Sequence, residues 1–289
     1  MNEAIEKILK NPIFIIAKKE IMDNVRNYWI IFVIILFSLL TIVTSYFGSV
    51  FSQGWQDFGA TIGIMSFIVQ ILVTIIAIMV GYAAIIGEIE KGSMNSFLAL
   101  PINRLEIILG KFFGLGCVIS FSILIGFGLA GIIIGLNVDN VNIIDYLYFI
   151  GDTILVGLVF LSISMFFSTL FKKRSTAIGG GIFLWLLFIF ILPLIFQSIL
   201  ITQVGLENYL SQNYIMPEWT YFSDLLNPIN VYSILIISNV GPTSSALSNI
   251  PIELNYPSFY TPLFLVIVLS IWIVTFVLIS YLRFNRKDI

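Results

Sequence analysis

The chain has 289 residues, 59% of them hydrophobic and only 10% charged, with a formal net charge of -2. A mean hydropathy of +1.04 leaves too little polar surface to clothe a water-soluble fold. The absence of histidine excludes imidazole general-base chemistry and His-ligated metals on this chain, and the single cysteine, Cys117, excludes an intrachain disulfide.

The placement of charge says more than its sum. All 14 Lys and Arg residues fall in four clusters. The first holds Lys7, Lys10, Lys18, Lys19 and Arg26, and the second Lys91, Arg104 and Lys111. The third holds Lys172, Lys173 and Arg174, and the fourth Arg283, Arg286 and Lys287. Between them lie long apolar runs and segments whose only charges are acids: Asp57, Asp139, Asp145, Glu207, Glu218, Asp224 and Glu253. Short loops rich in Lys and Arg stay on the cytoplasmic side of a membrane. The pattern predicts an all-α integral membrane protein of the plasma membrane, with six spans and both termini in the cytoplasm.

In chain order, residues 1–27 form a cytoplasmic, interfacial segment. Its length and mixed charge do not suit a signal-peptide n-region, and the apolar run that follows is too long for an h-region, so the first span is expected to be retained. Asn11-Pro12 reads as an N-cap followed by proline in the first helical turn. Phe14, Ala17, Ile21 and Val25 then recur at helical spacing, with Lys18, Lys19, Asp23 and Arg26 on other faces. This predicts an amphipathic helix in the membrane interface. The six-helix domain occupies 28–289, with spans at about 28–47, 62–86, 107–136, 146–171, 177–200 and 263–282. Lys111 lies one turn inside the third span, where its ammonium is expected to snorkel back to the interface. The runs are continuously apolar, which excludes barrel strands. Gly59/Gly63, Gly110/Gly114 and Gly131/Gly135 have the spacing that lets membrane helices approach closely. Residues 202–261, rich in proline and aromatics and free of Lys and Arg, are expected outside as a small cap of re-entrant or short helices, with pieces such as Phe222 to Ile237 apolar enough to dip into the outer leaflet.

The loop between spans two and three, Gly87 to Arg104, is the most distinctive stretch. Gly87 and Gly92 should break the descending helix. Ser93 can cap a short helix from Met94 to Leu100, and Pro101 ends it. Phe97, Leu98 and Leu100 are too many apolar side chains for so small an element to cover, which calls for lipid or a protein partner.

The run Gly87-Glu88-x-Glu90-x-Gly92-Ser93, then Leu98-Ala99-x-Pro101-x-x-Arg104 and Leu109-Gly110-Lys111-Phe112, resembles the signature of the ABC-2 type permeases, the membrane subunits of a class of ATP-binding-cassette transporters. Ala17-Lys18-Lys19-Glu20 with Arg26, and Phe171-Lys172-Lys173-Arg174, resemble that family's interfacial helix and second cytoplasmic turn. Leu226-Asn227-Pro228-Ile229-Asn230-Val231-Tyr232 resembles the branch associated with maturing the copper centre of nitrous oxide reductase. One departure is Ile89, where the family often has arginine. The resemblance implies a permease subunit in a homodimer, or a heterodimer with a similar chain, driven by a separate ATPase. The short helix would couple the two chains, with Glu88, Glu90, Gly92, Ser93, Phe97, Leu98, Pro101 and Arg104 at the docking surface. ATP and its Mg would bind to that partner. This chain lacks G-x-x-x-x-G-K-[ST], since Gly110-Lys111 is followed by Phe112 and preceded at five positions by Leu105.

Two other classes compete. An intramembrane protease needs a Ser–His pair, paired mid-membrane aspartates or H-E-x-x-H, and the chain offers only Asp152. An ion-coupled transporter places ionisable groups at the midplane, and the spans are nearly free of them. The seven methionines are scattered and build no soft-metal ladder.

Overall fold

The computed structural model describes residues 11–26, 28–47, 58–94, 99, 101–138, 142–210, 216–241 and 257–287, and among them it is helical throughout with no strand. The helices are α1 Pro12–Arg26, α2 Trp29–Phe47, α3 Phe58–Gly81, α4 Ile86–Glu90, α5 Arg104–Gly135, α6 Ile143–Leu170, α7 Arg174–Leu186, a π-helical turn Leu187–Ile191, α8 Leu192–Val204, α9 Leu206–Leu210, α10 Glu218–Leu225, α11 Pro228–Val240 and α12 Pro262–Asn285. Five continuous stretches are long and apolar enough to cross a membrane: Thr61–Glu90, Arg104–Gly135, Ile143–Leu170, Arg174–Val204 and Pro262–Asn285. A sixth follows if Pro12–Arg26 and Ile30–Tyr46, bent by 69°, count as one. The expected first span is α2, whose 19 residues reach about 28 Å at 1.5 Å per residue, the lower limit for the hydrocarbon core.

The core is organised around α6, which packs against α3, α5, α7, α11 and α12. Val156, Val159, Phe160, Leu161 and Ile163 are fully buried there, and 72% of its apolar window is covered by the protein, against 11% for Arg174–Val204. Continuous apolarity on all faces suits both positions, because lipid and protein interior are equally apolar solvents. Small polar side chains fasten the centre instead. Ser164 Oγ donates to Ile78 O at 2.8 Å, and Trp185 Nε1 donates to Thr74 Oγ1 at 2.8 Å.

The descending second span breaks earlier than the glycines suggest. The helix stops at Gly81, where a Cβ would fall 2.9 Å from that of Ser164, and Tyr82 to Ile85 form turns. The hydroxyl of Ser168 accepts from both Ile85 N and Ile86 N, at 2.9 and 3.0 Å, and so satisfies the amides that the break sets free. Gly87 lies inside α4, and the chain leaves that helix at Gly92, whose φ of 74° is natural only for glycine. The Met94–Leu100 helix and the residues Phe97 and Leu98 fall outside the described residues, apart from a buried Met94 and an exposed Ala99.

Within the segment expected as an external cap of re-entrant or short helices, α10 and α11 form a re-entrant hairpin. The amide of Asn227, between α10 and α11, donates to Phe188 O at 2.7 Å. Phe188 lies near the middle of the 31-residue helix Arg174–Val204, so the chain dips to mid-depth before α11 climbs back. On that climb α11 is tied to α3 by Gln70 Nε2 and Ser233 Oγ at 3.0 Å, and to α6 by Asn239 Nδ2 and Asp152 Oδ2 at 2.8 Å. The apolarity of Phe222 to Ile237 has two sources: Val231, Tyr232 and Leu235 of α11 are fully buried in protein, while Phe222 and Leu226 are exposed and suited to lipid. Residues 211–215 and 242–256 of the cap lie outside the described residues.

Candidate functional site: a charged junction at the basic end

α1 crosses α5 at the second and third turns of α5. The crossing is close because α5 presents glycines: a Cβ on Gly110 would fall 2.7 Å from Ile16 Cβ and 3.0 Å from Ile13 O, and one on Gly114 would fall 2.8 Å from Ala17 O. The Gly110/Gly114 pair therefore seats a helix of the same chain. The protein-facing side of α1 carries Ile16 and Glu20, while Phe14, Ile15, Met22 and Val25 point outward. The face expected from Phe14 and Val25 is thus the free one, suited to lipid, and a second apolar stripe does the packing.

That close crossing buries charge. Lys111 does not snorkel: its side chain is 1% exposed, and its ammonium lies 2.6 Å from Glu20 Oε1 and 2.9 Å from Glu88 Oε1. Lys19 Nζ adds a third contact, 3.1 Å from Glu88 Oε1. Held among carboxylates, a buried ammonium does not need the interface. Glu88 Oε2 is buried with no hydrogen-bond partner, so both of its cations share one oxygen.

The other side of α4 is held by the start of α7. Arg174 Nε lies 2.8 Å from Glu90 Oε2; that contact is ionic without hydrogen-bond alignment. The directed bonds are Arg174 N to Glu90 Oε1 at 2.9 Å and Arg174 Nη2 to Gly87 O at 2.5 Å. Beyond the loop, Asn103 N donates to Glu106 Oε2 at 2.8 Å, opening α5. Arg104 Nη1 then reaches Phe284 O, Asn285 O and Lys287 O at 2.5, 3.2 and 2.9 Å, with its guanidinium 5.4 Å from the Phe284 ring centre. It caps the C-terminus of α12, where free carbonyls favour a cation. Lys287 does the same for α6, donating to Thr169 O and Phe171 O at 3.1 and 2.7 Å. Burial, and to a lesser degree the nearby charge of Lys172, hold its ammonium below the usual lysine range.

Of the expected docking residues, Glu88, Glu90 and Arg104 thus contact this chain's own helices. Gly92, Ser93 and Pro101 are exposed, and Ser93 Oγ donates to Glu88 O at 3.3 Å. Phe97 and Leu98 lie outside the described residues. Sequence reasoning passed over Glu20, Lys19, Ser168, Arg174 and Lys287 as participants. The available signals were an acid on an apolar helical stripe (Glu20 beside Ile13, Ile16 and Ala17) and a lysine inside a span with no partner in its own helix. Among the described residues no group of His, Cys, Asp and Glu could hold a metal ion.

A bundle of long apolar helices, with a charged junction that gathers the ends of most of them, defines a multi-pass membrane protein. The family model described as "ABC-2 family transporter protein" matches residues 14–289, and the chain belongs to that family. It is similar to "Probable ABC transporter permease protein NosY" of Stutzerimonas stutzeri, at 30% identity over 96% of this chain and 99% of the relative. The protein of the same name from Pseudomonas aeruginosa is 29% identical over the same shares. The chain is therefore the membrane permease subunit of an ABC transporter, a family whose members work with an ABC ATPase.

Proposed function

We propose that the Gly92–Asn103 loop is the seat of a separate ATP-binding-cassette ATPase on the cytoplasmic side of the plasma membrane, and that this chain converts the movement of that seat into rearrangement of its spans. The observation that carries this reading is the wiring of the loop's flanks. Glu88 reaches α1 and α5, Glu90 reaches α7, and Arg104 reaches α12, while Ser168 of α6 holds Ile85 and Ile86. A push on the loop is delivered to α1, α5, α7 and α12 through charge-assisted bonds, which are short and directional, and to α6 through the neutral bonds of Ser168. In this reading Gly92, Ser93, Phe97, Leu98 and Pro101 meet the partner, with Phe97 and Leu98 as apolar anchors. Glu88, Glu90 and Arg104 transmit the movement.

Two such chains form the working unit, either alike or a similar pair. ATP and Mg belong to the ATPases. The resemblance of Leu226–Tyr232 supports a place in the branch associated with nitrous oxide reductase copper-centre maturation. One purification tests the assembly. Phe97→Asp should leave the chain inserted yet abolish co-purification with the ATPase, and the mass of the wild-type complex should contain two permease chains. Retained co-purification would remove the docking reading, and a single permease copy in an active complex would remove the dimer.

A further inference from the structure

The Leu226-Asn227-Pro228 turn has a role that docking does not require. The π-helical turn closes with Leu192 N donating to Leu187 O, one residue further along than an α-helical bond. Phe188 O therefore loses Leu192 as its donor. Its next candidate in the π register is residue 193, which is proline and has no N–H. Phe188 is buried at mid-span, with 4% exposure, where no lipid group can replace the lost bond. Asn227 supplies it: Nδ2 donates to Phe188 O at 2.7 Å while Oδ1 accepts from Ile229 N at 3.0 Å. Both bonds fit only one orientation of the amide. Asn227 is itself fully buried, and its amide is steadied by Asn230, which donates to Asp224 Oδ1 at 2.9 Å.

We infer that the π-helical turn with Pro193 is a hinge in the fifth membrane helix, and that Asn227 is the positioning residue that latches it to the re-entrant hairpin. The two halves of that helix are differently held. The inner half begins at Arg174, bound to Glu90 and Gly87. The outer half is largely exposed, at Leu194, Ile195 and Ile199 among others. A helix whose hydrogen-bond ladder is interrupted bends at the interruption. Movement arriving at Arg174 would pivot there, with the hairpin carried along by Asn227. The nucleotide-driven part of this inference rests on the partner ATPase proposed above; the latch does not.

The latch is tested on the permease alone by a double-mutant cycle in melting temperature. Asn227→Ser keeps an N-cap oxygen for α11 but cannot reach Phe188. In the native background it should lower the melting temperature. In a Pro193→Ala background, where residue 193 donates again, most of that loss should vanish. Equal losses in both backgrounds would overturn the latch. The hinge is tested in the ATPase complex by spin labels at the exposed positions Ser175 and Thr202. Their separation should change between the nucleotide-free and ATP–vanadate-trapped states, and Pro193→Ala should suppress the change. An unchanged separation in the otherwise native chain would overturn the hinge, and that measurement stands even if the substituted chains fail to insert. Failure of the ATPase to co-purify would count against the docking reading while leaving the melting cycle to decide the latch.

Discussion

Replacing Lys111 by methionine should be among the most damaging single changes at the basic end, and replacing its partners as well should repair much of the harm. The ammonium is 1% exposed and lies between Glu20 and Glu88, whose side chains are 12% and 15% exposed. Breaking a buried pair from one side costs about 3–5 kcal/mol, because a charge is left uncompensated out of water. Here Glu88 keeps Lys19, which is 44% exposed, while Glu20 has no second cation among the ion pairs of the described residues. The cost therefore falls toward the lower end, about 3 kcal/mol, roughly a hundredfold in the folded-to-unfolded ratio. The triple change Glu20→Met, Lys111→Met and Glu88→Met removes the buried charges together, and Lys19 is 44% exposed. It should lie within about 1 kcal/mol of the native chain, since apolar replacements of whole buried charge groups are often neutral or better. Equilibrium unfolding by dodecyl sulfate in mixed micelles, followed by tryptophan fluorescence, measures all three chains. A loss below about 1 kcal/mol for Lys111→Met, or a triple variant as unstable as the single one, would refute the reasoning.

Gly114→Val should lift α1 from α5, because Ala17 O already lies 2.8 Å from where a Cβ would sit; overpacking of this kind costs about 1–3 kcal/mol. Faster proteolytic cleavage in residues 11–26 of the inserted chain is the expected sign, and unchanged protection would contradict the close crossing. Orientation is checked with Asn95→Cys in a Cys117→Ser background. A non-permeant maleimide added outside intact cells should not label it, while inverted vesicles should label fully, and labelling from outside would reverse the assigned sides.

The long apolar runs and the confinement of Lys and Arg to four clusters determined, without any coordinates, that the chain is an all-α membrane protein, because those properties answer to the solvent and not to neighbours. Two helix starts are likewise set locally, α5 where Asn103 N donates to Glu106 Oε2 and α12 at Thr261-Pro262, where Thr261 Oγ1 accepts from Phe264 N. Contacts between distant segments were beyond that reach. A lysine inside a span reads as a snorkelling group until Gly110 and Gly114 admit α1 and bring Glu20, 91 positions away, within 2.6 Å. An asparagine in a polar, proline-rich segment likewise reads as a turn residue until Asn227 meets an orphaned carbonyl 39 positions earlier. A polar group buried away from water must find a partner somewhere, but only the packing of the helices decides which one.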